Sequence, residues 1–207
     1  MKGTTSAVKV KMATPTNGGA PTIEMAEPYV VTVTIEGVCP IFFHRYNPEA
    51  VEAKGKAGKG SKAKKSDDLE SYVYRTEDGN LALPGVYLVG SIVTAAKFKQ
   101  DPRSSRKSAM DLYKAGVFSL TEFADLGVAD WEYVDRRRVM VQRSAVTRER
   151  PALREGWRAT FELAVQLPEY IDPITLHEVI SNAGRLIGVA DHRPTYGRFA
   201  IVGYYYE

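Results

Sequence analysis

Two segments of helical period, each lying between segments of strand period, constrain the fold of this chain most strongly. Residues 29–36 (YVVTVTIE) alternate apolar and polar side chains and are rich in β-branched residues, which is typical of a strand. Residues 86–99 and 173–187 instead place apolar side chains three and four positions apart, which predicts amphipathic helices. A chain that mixes both periods in this way is expected to form an α+β domain.

The second half of the chain supplies the other long elements. Residues 138–147 and 157–167 alternate in polarity and are joined by the basic segment RERPALREG, so they predict a long hairpin. Residues 198–205 (RFAIVGYY) predict a final strand, and Tyr204, Tyr205 and Tyr206 at its end are expected to pack. Shorter elements are predicted at 72–75, 81–83, 107–115 and 117–120.

The long elements follow the order β, α, β, β, α, β, which is the ferredoxin-like pattern. We therefore predict a ferredoxin-like core with one antiparallel sheet, both helices on one face, insertions and a protruding basic hairpin. In this prediction residues 138–147 form the second strand and 157–167 the third. The third strand (GWRATFEL) lacks the aromatic signature of the RNA-recognition motif, which disfavours that module.

Composition bounds the domain organisation. The chain has 207 residues, of which 44% are hydrophobic, enough for one core. We expect a flexible arm over 1–28, a single domain over 29–207 and a mobile lysine-rich loop at 53–68. No apolar run approaches the roughly 20 residues of a membrane span, and the first residues lack a signal peptide's apolar stretch. The expected location is the cytoplasm of a bacterial or phage-infected cell.

Few side chains are suited to metal or redox chemistry. The single cysteine, Cys39, excludes an internal disulfide, and its apolar setting favours a buried residue over a nucleophile. Only three histidines occur, so a histidine-dominated metal centre is disfavoured. We predict no metal site and no cofactor.

Positive charge is concentrated although the net charge is only +3. Residues 136–158 contain eight arginines against two glutamates. A second basic segment holds six lysines and no acid: Lys54, Lys56, Lys59, Lys62, Lys64 and Lys65. Such segments favour a polyanionic partner, although a solvated loop is the simpler explanation of the lysines.

The segment 184–199 (GRLIGVADHRPTYGRF) combines glycines and arginines between the last helix and the last strand. Glycine permits close approach of a backbone, and arginine offers a planar fork of donors to phosphate. A helix C-cap at Gly184 or Gly188 with a solvated turn is the alternative. The candidate binding residues here are Gly184, Arg185, Gly188, His192, Arg193, Gly197 and Arg198.

Other basic residues are candidates for the same surface. In FFHRY the two phenylalanines are more typical of a core, whereas the next three residues could stack a base and hold its phosphate. Alternation sends Arg137 to one face of its strand and its two arginine neighbours to the other face. The alternative is that these arginines are solvated charges at a sheet edge, where they deter aggregation. The candidates are His44, Arg45, Tyr46, Arg136, Arg137, Arg138, Arg148, Arg150 and Arg154.

The segment LPGVYLVG at 83–90 resembles the L/I-P-G-S-S-L-K-G signature of the RAMP superfamily, whose members form the backbones of CRISPR effector complexes. It keeps Leu83, Pro84, Gly85, Leu88 and Gly90, and it departs from the signature at Val86, Tyr87 and Val89. The glycine-rich segment before the last strand and a basic hairpin between the second and third strands also resemble this superfamily. TIEGVCPIFFHRY and GVADHRPTYGRF are further similar to small phage-encoded proteins.

The RAMP resemblance implies sequence-independent binding of single-stranded RNA or DNA through phosphates, with a wedging hairpin, by subunits lying side by side in a homo-oligomer or a ribonucleoprotein. It implies that Arg185, Arg193 and Arg198 neutralise phosphates, that the glycines allow close approach and that His192 stacks or hydrogen-bonds.

Two alternatives stay open, and no catalytic residue is assigned. One is a nuclease, either acid-base through Asp191 and His192 or metal-dependent through the acidic cluster Asp67, Asp68 and Glu70. The other is a phage structural or protein-interaction subunit, which would need an exposed apolar surface.

Overall fold

The computed structural model describes residues 26–48, 52, 56, 68–141 and 144–207. Among these residues the strands are β1 (Tyr29–Gly37), β2 (Ile41–Phe42), β3 (Tyr74–Arg75), β4 (Leu81–Pro84), β5 (Val117–Ser119), β6 (Phe123–Asp125), β7 (Tyr133–Val141), β8 (Ser144–Leu153), β9 (Arg158–Val165) and β10 (Phe199–Tyr206). The α-helices are α1 (Gly85–Ala95), α2 (Met110–Gly116) and α3 (Pro173–Asn182).

The main sheet has four strands in the order β10-β1-β9-β5, and every neighbouring pair is antiparallel. Val33 of β1 lies between Phe161 of β9 and Tyr204 of β10. The register of β1 and β10 shifts by a bulge between Thr34 and Ile35. The chain is thus an α+β fold with antiparallel sheets and few helices.

Alternation along β1 and β9 gives the main sheet one apolar and one polar face. Val33 and Phe161 are buried together with Leu88 of α1 and Leu176 of α3, so both helices pack against the same face. On the opposite face the hydroxyl oxygens of Thr34 and Thr160 lie 2.9 Å apart. Burial of one face is what fixes the register of the sheet.

The prediction of which residues form the second core strand was wrong. The segment that joins the main sheet between α1 and β9 is the short strand Val117–Ser119, whereas residues 138–147 lie outside this sheet. β7 and β8 instead pair with each other as an antiparallel hairpin, the β7–β8 hairpin, called here simply the hairpin. β2 adds to the other edge of β8. Alternation predicts that a segment is a strand but does not determine its partner.

The predicted hairpin was also wrong in its pairing. RERPALREG was expected to connect two strands, but residues 148–153 belong to β8, which runs antiparallel to β7. The connection between β7 and β8 falls at 142–143, outside the described residues. The basic residues at 148, 150 and 154 therefore lie in or just after a strand and not at a hairpin tip.

The two long helices are confirmed, and the end of α3 leads directly into the glycine-rich segment. Asp172 caps α3, accepting hydrogen bonds from the N–H groups of Ile174 and Thr175 at 3.0 and 2.9 Å. The helix then widens into a π turn over Ala183–Ile187. A π turn of this kind often marks a functional position in a helix.

Most of the arm predicted at 1–28 and most of the loop predicted at 53–68 lie outside the described residues, so their mobility stays a prediction. Among the described residues, no helix has the length and apolar character needed to cross a bilayer.

Candidate nucleic-acid interface

The glycine loop, defined here as residues 188–198, carries four residues in the left-handed region of backbone conformation. Gly188 and Gly197 have φ of 79° and 70°, and Ala190 and His192 have φ of 61° and 58°. The N–H of Val189 donates to the carbonyl of Gly197 at 2.9 Å and closes the loop. Non-glycine residues adopt this conformation rarely, so the loop's shape is held by its surroundings.

The glycines serve the packing of the chain on itself. A Cβ atom at Gly184 would lie 2.1 Å from the carbonyl oxygen of Phe199, and one at Gly197 would lie 1.9 Å from that of Val189. A Cβ at Gly188 would likewise meet backbone atoms. The close approach shown is to the protein's own backbone, and the expectation that these glycines make room for a phosphate stays a prediction.

The glycine loop is docked on the segment that contains β2. The N–H of Asp191 donates to the carbonyl of Phe42 at 3.1 Å, and the N–H of Gly197 donates to that of Pro40 at 2.9 Å. The ring of Tyr196 stacks on Phe42 with centroids 4.2 Å apart. Phe42 and its neighbour Phe43 are buried, so the core alternative is confirmed for both.

Arg137 joins β7 to the same aromatic pair. Its guanidinium lies 4.5 Å from the ring centroid of Tyr196 and 5.2 Å from that of Phe42. Its Nε donates to the carboxylate of Asp135 at 2.7 Å. Because the charge is paired and stacked, Arg137 holds the loop against the hairpin, and its expected contact with a phosphate stays a prediction.

Arg150 makes the second link between hairpin and loop. It is only 5% exposed, and its Nε donates to Oδ2 of Asp191 at 2.5 Å. Its buried Nη1 has no hydrogen-bond partner among the described residues. A buried arginine is tolerated only when its charge is compensated, so Asp191 is required wherever Arg150 is buried.

His44 lies beside this ion pair. Its ring stacks on Tyr72 with centroids 4.5 Å apart, and Nη1 of Arg148 lies 2.7 Å from its Nε2. Since a guanidinium can only donate, Nε2 must accept and the ring is neutral. Burial of the ring lowers the pKa of His44, Asp191 opposes this shift, and the charges of Arg148 and Arg150 add to it.

A groove of about 530 Å³ lies between the hairpin and the glycine loop and is called here the hairpin groove. It is lined by Met140 and by six polar side chains, namely His44, Arg138, Arg148, Arg150, Asp191 and His192. Asp191 supplies the only carboxylate among the described lining residues, and it is already paired with Arg150. The groove is therefore cationic and suited to an anion.

A smaller space of about 260 Å³, called here the helix cleft, adjoins the hairpin groove because both are lined by His44 and Asp191. Arg193 and the first turn of α1 form its other walls through Val86 and Tyr87. Burial raises the pKa of Tyr87 to about 12, and its hydrogen bond with Tyr74 adds to the effect. Val86 and Tyr87, at which the segment 83–90 departs from the sequence pattern it resembles, thus line the cleft.

Arg185 and Arg198 lie elsewhere. They line a third groove of about 660 Å³, called here the terminal groove, beside the end of α3 and the start of β10. The Nε of Arg198 donates to the carbonyl of Pro194 at 2.7 Å. The three arginines expected to act together are thus divided, with Arg193 on the helix cleft.

Arg45, Tyr46 and Arg136 do not line the hairpin groove. Arg45 lies 4.8 Å from the ring centroid of Tyr74, and Tyr46 is exposed. Arg136 pairs with Glu149 at 3.0 Å on the opposite face of β7 from Arg137, as alternation predicted.

Arg154 also lies apart, 3.7 Å from the carboxylate of Glu132 and 5.2 Å from the ring centroid of Tyr133. Of the lysine segment, Lys56 is described and lies 3.8 Å from Glu52. The other candidates fall outside the described residues: Lys54, Lys59, Lys62, Lys64 and Lys65.

The acidic residues considered for a metal site are Asp67, Asp68 and Glu70. Asp67 lies outside the described residues, and Glu70 forms an ion pair with Arg75. Within the described ranges, no three histidine, cysteine, aspartate or glutamate side chains are grouped so that they could hold a metal ion.

Sequence reasoning missed Tyr196 and the pairing role of Asp191. Tyr196 is an ordinary loop tyrosine until the fold places Phe42 and Arg137 against it. Asp191 was considered only as a possible acid, although it is the one carboxylate between Gly184 and Arg198. A single acid in a strongly basic segment is the signal that could have indicated an internal ion pair.

Comparison with known proteins adds structural neighbours. No family model and no curated protein matches the sequence. A chain from the cryo-EM structure of the type III-B Cmr-beta complex bound to cognate target RNA has a TM-score of 0.48 and 10% identity, over 86% of this chain and 60% of that one. This chain therefore spans about three fifths of that neighbour's length.

The crystal structure of Cmr6 from Pyrococcus furiosus has a TM-score of 0.44 and 9% identity, over 86% of this chain and the whole of that one. These TM-scores are too low to assign a fold. The fold of this chain is defined by its own strand order and register.

Two glycine substitutions, one in the glycine loop and one in α1, should have opposite effects on stability. Gly197→Ala should lower the free energy of unfolding by more than about 1–2 kcal/mol, because the residue is left-handed and its Cβ overlaps a carbonyl oxygen. Gly90→Ala should raise it by about 0.5–1 kcal/mol, because Gly90 lies within α1 with free space around it. Urea unfolding of both variants checks this, and destabilisation by both would contradict it.

The neutral state of His44 predicts a pH-dependent contribution to stability. Because the folded-state pKa is lowered, the unfolded chain takes up the proton first, and the free energy of unfolding falls as the pH drops below about 6.5. The variant His44→Gln can still accept from Arg148 but does not titrate. Urea unfolding between about pH 5 and 8 should show a weaker pH dependence in the variant. If the free energy of unfolding of the wild type and of the variant depended equally on pH, neutral His44 would not contribute to the pH dependence of stability.

Proposed function

We propose that this protein binds single-stranded nucleic acid in the hairpin groove and the adjoining helix cleft, through phosphates and without sequence preference. The observation that supports this most is the convergence of Arg138, Arg148 and Arg150 with two histidines around a groove whose described lining holds one paired carboxylate. In this proposal the four-stranded sheet is the ferredoxin-like core of a RAMP-type domain, and the β7–β8 hairpin is its protruding insertion.

The geometry favours phosphate as the ligand group. Arg138 and Arg193 are exposed, and no carboxylate of the described residues lies within ion-pair distance of either. Arg150 is buried and paired with Asp191, so it contributes positive charge to the groove wall, whereas Arg148 is held in place by its hydrogen bond to His44. Guanidinium groups that are held in place bind phosphate oxygens with little further loss of conformational freedom.

The shape of the site favours a single strand. The cations line a concave groove of about 530 Å³ between a hairpin and a loop, whereas a duplex is bound through broader surfaces. Val86, which is 70% exposed, and Tyr87 border the adjoining helix cleft and can contact unpaired bases. RNA and DNA are both candidates, since discrimination between them depends on contacts to the 2′-hydroxyl.

Replacing three accessible groove arginines should weaken binding. We expect Arg138→Ala, Arg148→Ala and Arg193→Ala together to lower the affinity for labelled single-stranded RNA or DNA at least tenfold, by about 1.4 kcal/mol or more. The slope of log affinity against log salt should become shallower by about 2, since each lost phosphate contact contributes about 0.7 on a single strand. Fluorescence anisotropy at several salt concentrations measures both quantities.

A charge-matched control uses Arg106→Ala, Lys107→Ala and Lys114→Ala, three exposed cations that do not line these grooves. The control should bind like the wild type. Equal losses in both triple variants would mean that only net charge matters, and absence of wild-type binding at low salt would contradict the proposal. Duplex oligonucleotides of the same sequence should bind more weakly than single strands.

The same oligonucleotides test the nuclease alternative when they are run on a gel with and without magnesium. His44 and His192 share the hairpin groove, which favours acid-base over metal-dependent cleavage if any occurs. If the oligonucleotide stays intact, the nuclease alternative is excluded and binding is the only activity proposed. Assembly of several subunits along a strand and a phage-encoded origin stay predictions from the sequence.

A further inference from the structure

The terminal groove has an amphipathic lining that the proposed site does not use. Val38 and Leu186 lie on it and are 60% and 41% exposed, and Ile201 of β10, which packs against the buried core, also lines it. Apolar side chains exposed in a concave surface gain free energy when a flat apolar group covers them. The groove therefore offers a surface of the kind that receives a ring.

Cations flank this apolar lining. Arg185 and Arg198 both line the groove, and no described carboxylate lies within ion-pair distance of either. The bond from Nε of Arg198 to Pro194 directs its guanidinium and leaves the terminal nitrogens as donors. An apolar patch beside two uncompensated arginines is complementary to a ligand that carries both a ring and an anion.

The glycine loop connects this groove to the proposed binding site. Arg193, on the helix cleft, and Arg198, on the terminal groove, are five residues apart, so their Cα atoms are separated by at most about 18 Å. A ligand long enough to cross the loop can reach both. A nucleic-acid strand carries a base and a phosphate at every step along such a path.

We propose that the terminal groove binds a further nucleotide of the strand held in the hairpin groove. Its base packs on Val38 and Leu186, and its phosphate is bound by Arg185 and Arg198. This inference rests on the proposed function and extends the strand's path across the glycine loop. An acidic apolar peptide has similar chemistry but does not connect the two grooves, so strand length distinguishes them.

Affinity should depend on oligonucleotide length in a way that these two arginines control. With oligouridylates from about 4 to about 16 nucleotides, wild-type affinity should rise once the strand reaches the second groove. The variant Arg185→Ala with Arg198→Ala should bind the shortest strands like the wild type and the longest about tenfold more weakly. The control Arg106→Ala with Lys107→Ala should follow the wild-type curve.

A second variant separates the base contact from the phosphate contact. Leu186→Ser keeps every charge, and it should weaken binding of long oligouridylates but not of long strands whose distal nucleotides are abasic. Thermal unfolding followed by circular dichroism checks that each variant is folded. Equal curves for wild type and the double arginine variant at every length would overturn this inference and leave the proposed function standing. Failure of the wild type to bind any strand would overturn both.

Discussion

The ion pair between Arg150 and Asp191 is the interaction on which the candidate site depends. Arg150 lies in β8, outside the main sheet, and Asp191 lies in the glycine loop, which follows α3. A guanidinium that is 5% exposed is costly unless its charge is compensated, so the hairpin and the loop are stable in this arrangement only together. The hairpin groove is the space that this arrangement leaves between them.

The other contacts around the pair act in the same direction. Arg137 packs on Tyr196 of the loop, and Asp191 is also held through its backbone by Phe42. His44 accepts a hydrogen bond from Arg148, which keeps that cation at the groove wall. Two of the hairpin's arginines thus hold the structure together, and Arg138 and Arg148 remain available at the surface. An arginine of the hairpin has a structural role where it contacts a carboxylate or an aromatic pair, and it stays accessible where it does not.

Much of the fold could be predicted because α1, α3, β1, β9 and β10 each bury one face. Burial of one face requires apolar residues at a regular spacing, which is visible in the sequence. The second core strand, Val117–Ser119, is too short to show a period, whereas residues 138–147 show a clear one and were assigned in its place. The site was predicted from charge density, which identifies basic segments but not their partners. The internal roles of Arg137 and Arg150 depend on Asp135, Asp191 and Tyr196, which approach them only in the folded chain.

A double-mutant cycle on the ion pair tests this account most directly. The free energies of unfolding of the full chain, Arg150→Met, Asp191→Asn and the double variant are measured in urea. Because Asp191→Asn alone leaves a buried positive charge without compensation, the account predicts that the two residues are coupled by about 1–3 kcal/mol. Additivity of the two substitutions within about 0.5 kcal/mol would contradict the claim that this pair joins the hairpin to the loop.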